Sequence, residues 1–198
     1  MVAQASEHMS EEEYLAFERA SDTKHEYYRG EIFAMAGASE KHVLIVNNTV
    51  GTFFQQVRGR CRIYSNDMRL RVNARGLYTY PDVIIVCNRP QLADGQFDTL
   101  LNPTIIIEVL SPSTEAYDRG KKFWHYRTLE SLQEYVLIAQ DAPLVEHFAR
   151  QEDGSWRFAA ASGLDASLYL PTIDCTVALA DIYLLVEWVE AEAVEAVT

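Results

Sequence analysis

Hydrophobic residues along the chain recur at two different periods, and the switches between those periods mark out its elements. Ser10 and Glu13 have the spacing of a capping box, and Tyr14, Leu15 and Phe17 supply an apolar face behind it, which predicts a first helix over about 10–20. KHEYY and EIFAMAG then read as two short strands joined by a turn at Arg29-Gly30. From Ser39 to Arg58 the apolar residues Val43, Val46, Val50, Phe53, Phe54 and Val57 return to helical spacing, despite the β-branched content.

Strands follow. CRIYSNDMRLRV alternates, with Asp67, Arg69 and Arg71 on one face and Met68, Leu70 and Val72 on the other. TYPDVIIVC and TIIIEVL are nearly continuous apolar runs, the pattern of central strands covered on both faces. The polar stretch NRPQLADGQFDTLLNP between them reads as a loop. A helix from about Glu115 to Leu129 would carry Asp118, Lys122 and Tyr126 on one face. EYVLIAQ reads as a strand, LVEHFARQEDGSWRFAAA as a hairpin closed at Asp153-Gly154, and DIYLLVEWVEAEA as a terminal helix. This order predicts an α/β (α+β) fold with a mixed central sheet. A length of 198 residues suits one domain over 10–190, with flexible ends at 1–9 and 191–198.

Composition narrows the classes. No apolar run approaches the roughly 20 residues of a membrane span, and the acidic N-terminus lacks a signal-peptide layout, so a cytoplasmic protein without a membrane partner is expected. Cys61, Cys87 and Cys175 stand far apart in the chain, which argues against a zinc site and a disulfide framework and predicts a buried, inert thiol at Cys87. The net charge of −12 is uneven: residues 1–40 carry −6 and 184–198 carry −4, leaving −2 for the 143 residues between. Within that middle, Arg58, Arg60, Arg62, Arg69, Arg71 and Arg75 face one acid, Asp67. Such a run is either a solvated edge or an anion-facing surface. The apolar stretch IYLLVEWV is consistent with a homodimer contact, and core packing explains it nearly as well.

The chemically informative positions are two acids on apolar strands. Asp82 follows Pro81 and opens VIIVC, and Glu108 interrupts IIIEVL. An ionised carboxylate in such surroundings costs several kcal/mol unless paired or bound to a cation. Three readings compete: a structural pair with Arg69 or Arg71, a metal-free acid and base as in glycoside hydrolysis, and two ligands for a hard divalent cation. The third leads. A phosphodiesterase also needs a positive group near the phosphate, and Lys122 stands on the helix after the Glu108 strand, while Lys121 points about 100° away toward solvent. For Lys122 an i,i+4 surface pair with Asp118 is an equal alternative.

Pro81-Asp82, the 26-residue step to Glu108 and above all NPTIIIEVLSPSTEAYDRGKKFWHYRTLESLQEYVLI resemble the Uma-two-type endonuclease family, restriction endonuclease-like proteins of the PD-(D/E)XK nuclease superfamily. The likeness runs from SEEEYLAFE through HEYYRGEIFAMAGAS to EYVLIAQ. The resemblance implies a restriction endonuclease-like core, a mixed sheet flanked by helices, with Asp82 and Glu108 as ligands for Mg²⁺ or Mn²⁺ at the sheet's edge. In the superfamily's usual pattern a lysine stands two residues after the second acid, where this chain has Leu110. The family resembled tends to carry that lysine on the next helix, which matches Lys122 as the third catalytic residue. Glu26 matches an acid before the first turn that adds a ligand or orients water. Lesser supporting candidates are His42 at the site mouth, Asp118 on the Lys122 face, and Asp67, better read as an ion-pair partner. DNA is the implied substrate, with Arg58, Arg60, Arg69 and Arg71 as candidate backbone-phosphate contacts. A catalytically silent relative serving as a binding or assembly module is the alternative.

Overall fold

A computed structural model of the protein describes residues 8–72 and 76–188. The elements are α1 (Glu11–Ala20), β1 (His25–Tyr28), β2 (Glu31–Ala34), α2 (Glu40–Val57), β3 (Arg62–Ser65), β4 (Arg69–Val72), β5 (Leu77–Thr79), β6 (Val83–Val86), β7 (Thr99–Leu100) and β8 (Ile105–Leu110). After them come α3 (Glu115–Tyr117), a π-helical turn (Asp118–Lys122), α4 (Phe123–Tyr126), β9 (Glu134–Ala139), β10 (Leu144–Arg150), β11 (Trp156–Ser162), β12 (Ser167–Leu170), β13 (Cys175–Ala178) and α5 (Leu179–Ile182). The fold is mixed α/β with mixed sheets, as expected, but the strands divide into three sheets rather than one. A six-stranded sheet has the order β11-β10-β9-β8-β6-β3, a five-stranded sheet the order β2-β1-β5-β4-β7, and β12-β13 form a separate hairpin. β8 and β9 are parallel, as are β4 and β7; the other pairs are antiparallel.

The six-stranded sheet is covered on both sides, which is why VIIV and IIIEVL read as unbroken apolar runs. Val83, Ile85, Ile105 and Ile107 pack under Ile45, Val46, Phe53 and Val57 of α2, together with Leu168, Leu170 and Ile182. On the other face Ile84, Val86, Ile106 and Leu110 meet Leu70, Val72 and Leu77 of the five-stranded sheet, along with Tyr126. Tyr14 of α1 packs with Tyr27, Ile32 and Tyr78 on the outer side of that second sheet. The predicted capping box is present, with the Glu13 amide donating to Ser10 Oγ at 3.2 Å and Ser10 N to Glu13 Oε2 at 2.8 Å.

Four local expectations are corrected. CRIYSNDMRLRV is two strands, because Asn66 and Asp67 are turn residues and the Met68 amide closes that turn on Ser65 O at 3.0 Å; β3 joins one sheet and β4 the other. TYPDVIIVC likewise splits between β5 and β6, around Pro81, which has no N–H for a ladder. The helix from Glu115 is interrupted by the π-helical turn and ends at Tyr126. The terminal helix stops at Ile182: Asn48 Nδ2 donates to the Ile182 and Leu184 carbonyls, at 3.1 and 2.8 Å, and Leu185 has φ +62°. Residues 189–198, the first seven residues and Arg75 lie outside the described residues, and with them much of the expected flexible ends. The Asp153-Gly154 hairpin forms as expected, with Gly154 at φ +81° and β10 paired to β11.

The thiol expectation also fails. Cys61 and Cys87 are joined by a disulfide, their Cα atoms 4.0 Å apart. The antiparallel register of β3 with β6 pairs Arg62 with Val86, so the next residues out, 26 apart in sequence, come face to face. Linear spacing conceals such cross-strand pairs. Cys175 is free and buried.

Candidate active site

The register of β6 with β8 is antiparallel and pairs Val83 with Ile107 and Ile84 with Ile106. One step further out, Asp82 comes opposite Glu108, and both side chains project on the face of Ile84 and Ile106. They are linked through the backbone. The Val109 amide donates to Asp82 Oδ2 at 2.7 Å, and the Asp82 amide donates to Glu108 Oε2 at 3.3 Å. The π-helical turn then lays Lys122 over this pair. Its ammonium is 2.9 Å from Glu108 Oε1, 3.3 Å from Asp118 Oδ1 and 3.6 Å from Glu26 Oε1, and the side chain is almost wholly buried. The i,i+4 pair with Asp118 thus exists, but in the interior rather than at the surface.

Three hydroxyls complete the cluster. Tyr126 donates to Glu108 Oε1 at 2.8 Å, Thr79 donates to Glu26 Oε1, and Tyr135 donates to the Asp118 carbonyl at 3.1 Å. From the opposite face, His42 Nε2 lies 3.0 Å from Asp82 Oδ1. Asp118 Oδ1 is buried and receives no hydrogen bond; its contact with Lys122 is ionic, without donor alignment.

The electrostatics follow from crowding acids in a dry place. Burial pushes the Glu108 carboxyl up to about 8, opposed by Lys122 and reinforced by Asp118 and Asp82. Burial raises Asp118 as well, again against Lys122. Lys122 itself is held well above its usual range: burial disfavours its charge, but Glu108, Tyr126, Glu26 and Asp118 more than offset that. Four carboxyl groups thus cluster around few basic groups: Lys122 contacts Glu26, Glu108 and Asp118, and His42 contacts Asp82. A hard dication suits this donor set of oxygens and the orphaned Asp118 Oδ1. Among the described residues no three His, Cys, Asp or Glu side chains already converge as a metal cage. Magnesium commonly takes one or two carboxylates and completes its shell with water and substrate phosphate, so the Asp82–Glu108 pair fits it.

The other sequence candidates are dispersed. Asp67 is exposed in the β3–β4 turn and pairs with Lys24. Arg58, Arg60 and Arg62 stand beside the far end of β6, where Arg62 pairs with Val86, four residues or about 13 Å along the strand from Asp82. The Arg60 guanidinium is spent on the Ile173 and Gln56 carbonyls, both at 3.0 Å. Arg69 is turned inward, 3% exposed, with its guanidinium 2.8 Å from Asp98 Oδ2 and stacked near Tyr14 and Tyr80. Arg71 pairs with Glu11 over the Tyr78 ring. Neither Arg69 nor Arg71 pairs with Glu108, and the buried Arg69 cannot meet a phosphate without leaving its partner Asp98. Tyr126 and Thr79 were missed as site residues; Tyr126 had one signal, its i+4 spacing from Lys122.

Comparison with known proteins bears on this geometry. Residues 11–180 match the profile of the Uma2 family, described as "putative restriction endonuclease". The chain is 38% identical over 149 residues to the uncharacterized protein slr1290 of Synechocystis, covering 75% of this chain and 77% of that protein. It is 34% identical over 169 residues to a second uncharacterized Synechocystis protein, sll1609, covering 85% and 96%. A crystal structure from Anabaena variabilis, described as a "putative nuclease belonging to DUF820", superposes with a TM-score of 0.70 at 20% identity, over 87% of this chain and 96% of that one. That likeness speaks to fold alone. No helix among the described residues is long and apolar enough to cross a membrane. With a family profile spanning most of its length and relatives above 30% identity, this chain belongs to the Uma2 family.

Proposed function

We propose that this chain is a metal-dependent endonuclease that hydrolyses phosphodiester bonds in DNA, its six-stranded sheet with α2 and the α3–α4 segment forming a restriction endonuclease-like core. The observation that carries this reading is the cross-strand opposition of Asp82 and Glu108, with the Lys122 ammonium 2.9 Å from Glu108 Oε1. Asp82 and Glu108 would hold Mg²⁺ or Mn²⁺, with Glu26 and Asp118 adding negative charge behind them. When bound, the ion polarises a phosphate oxygen and makes a water nucleophilic near neutral pH. Lys122 sits where an ammonium can orient that water or offset charge growing on the phosphate. Tyr126, donating to Glu108 Oε1, leaves Oε2 on the Asp82 side. The apolar packing beneath the two acids keeps the dielectric low, so these charges act strongly.

The test is cleavage of supercoiled plasmid by wild type, Asp82→Ala, Glu108→Ala and Lys122→Ala, purified in parallel. Wild type is expected to nick with Mg²⁺ and not with EDTA, and each variant to lose about 100-fold or more. Equal cleavage by all four proteins, or in EDTA, overturns the reading. The tight Lys122–Glu108 contact favours one second reading, a catalytically silent binding or assembly module; Mn²⁺ binding without cleavage of DNA or RNA would select it.

A further inference from the structure

From the contact at Asp82 Oδ1 we infer that His42 is a positioning residue, fixing the Asp82 carboxylate in the orientation that a metal ion requires. This rests on the metal-dependent reading above. His42 is the third residue of α2, and its placement is set from both sides. Ser39 caps the helix: the His42 amide donates to Ser39 Oγ at 3.2 Å, and Ser39 Oγ in turn donates to Gln140 Oε1, beyond the end of β9, at 3.0 Å. The first turn of α2 is thereby tied to the C-terminal end of β9, a central strand of the sheet whose β6 follows Asp82. The imidazole then reaches Asp82 Oδ1 at 3.0 Å, with both side chains mostly buried, at 14% and 16% exposure.

A carboxylate can only accept, so the contact requires the proton on Nε2. Val109 N–H occupies Oδ2 from the strand side at 2.7 Å. With one donor on each oxygen the carboxylate plane has no free rotation, while each oxygen retains lone-pair capacity for an ion. Histidine and carboxylate groups that orient ligands from behind in this way are worth 10–100-fold in metal affinity. His42 comes from the far side of the sheet from Lys122 and makes no contact with Glu108, Glu26 or Asp118 among those described. Its role is therefore separable from theirs.

The experiment titrates Mn²⁺ against wild type, His42→Gln and His42→Phe by thermal shift, and records the imidazole ¹H–¹⁵N spectrum of the metal-free wild type and Asp82→Leu. Glutamine preserves an N–H donor of similar reach, and phenylalanine preserves only bulk. The wild type should show a slowly exchanging Nε2–H signal that Asp82→Leu abolishes. The Mn²⁺ midpoint should stay within about twofold for His42→Gln and weaken about tenfold or more for His42→Phe. Metal-free melting temperatures of both variants should remain within a few degrees of wild type. An unchanged midpoint in His42→Phe, equal losses in the two variants, or no protected Nε2–H in wild type overturns the inference. A wild type that ignores Mn²⁺ altogether overturns the proposed activity together with it; a responsive wild type with His42→Phe unaffected overturns this inference alone.

Discussion

Asp82 and Glu108 are bound to each other's strands: the Asp82 amide donates to the Glu108 carboxylate, and the amide next to Glu108, that of Val109, donates to the Asp82 carboxylate. The reciprocal arrangement means that neither acid can shift without disturbing a backbone group of the other strand. It also crowds two acids at one place, a crowding relieved by the Lys122 ammonium, the Tyr126 hydroxyl and the raised carboxyl of Glu108.

Lys122→Ala removes the ammonium from among Glu108, Asp118 and Glu26. Buried charges that lose their partner destabilise by about 3–5 kcal/mol. Urea unfolding in EDTA at pH 7 should show a loss of that order, and saturating Mn²⁺ should recover part of it. A loss below about 0.5 kcal/mol would mean that the lysine is not neutralising these acids.

Glu108 holds its proton more tightly folded than unfolded, because its carboxyl is pushed up to about 8 by burial. Between the unfolded value near 4.3 and about 8 the native state binds the extra proton, so metal-free stability is full below that window and declines as pH rises through it. Glu108→Gln should flatten this decline and melt above wild type at pH 8 in EDTA. A wild-type melting temperature that rises across the same interval contradicts the assignment.

The acid limb has a different owner. Hydrogen bonds from Arg19 above all, helped by Thr99 and Arg69, hold the Asp98 carboxyl well below the usual range. Its contribution is present above the unfolded value near 3.9 and is lost as pH falls through the lower folded value. Asp98→Asn should cost about 2 kcal/mol at pH 7 and less at pH 2, since the buried Arg69 loses an anionic partner in the variant at neutral pH. A cost that grows toward pH 2 would refute it.

Tyr126→Phe deletes one hydroxyl, the donor to Glu108 Oε1. Leaving that buried acceptor short should cost about 1–2 kcal/mol in chemical denaturation, with a further rise of the Glu108 carboxyl. The readout is the pH–stability curve just described, whose falling limb should move to higher pH. An unmoved limb would show that the hydroxyl does not bear on Glu108.

The Cys61–Cys87 bridge closes a 26-residue separation. On chain-entropy grounds that is worth about 3 kcal/mol. Dithiothreitol should lower the unfolding midpoint of wild type accordingly and leave Cys61→Ser unchanged. Alkylation of the denatured protein without reductant should add one adduct, at the free Cys175; two further adducts would show the pair to be open.

How far this was readable in advance depends on the range of the interaction. Helices α1 and α2, the Gly154 hairpin and the apolar central strands obey local rules, and periodicity reveals them. Asp82 and Glu108 could be singled out because an acid on an apolar strand demands a partner, yet only the β6–β8 register shows that each is the other's neighbour. Lys122 was visible by spacing; its depth was not, since the five-stranded sheet that helps enclose it arises from splitting two apparent strands at Asn66-Asp67 and Pro81. Arg69 misled for the same reason: in a single alternating strand it faces solvent, whereas in β4 it is covered by α1. The cross-strand cysteines were illegible because sequence distance says nothing about register.

Glu26 enters the cluster from β1 in the five-stranded sheet, Asp82 and Glu108 from the six-stranded one, and Lys122 from the segment that bridges them. No nascent or half-melted chain can own the whole constellation, because its members meet only when both sheets have docked. The cleavage proposed for this site would therefore be withheld from any chain whose folding is incomplete, a safeguard written into the order of assembly rather than into a separate inhibitor.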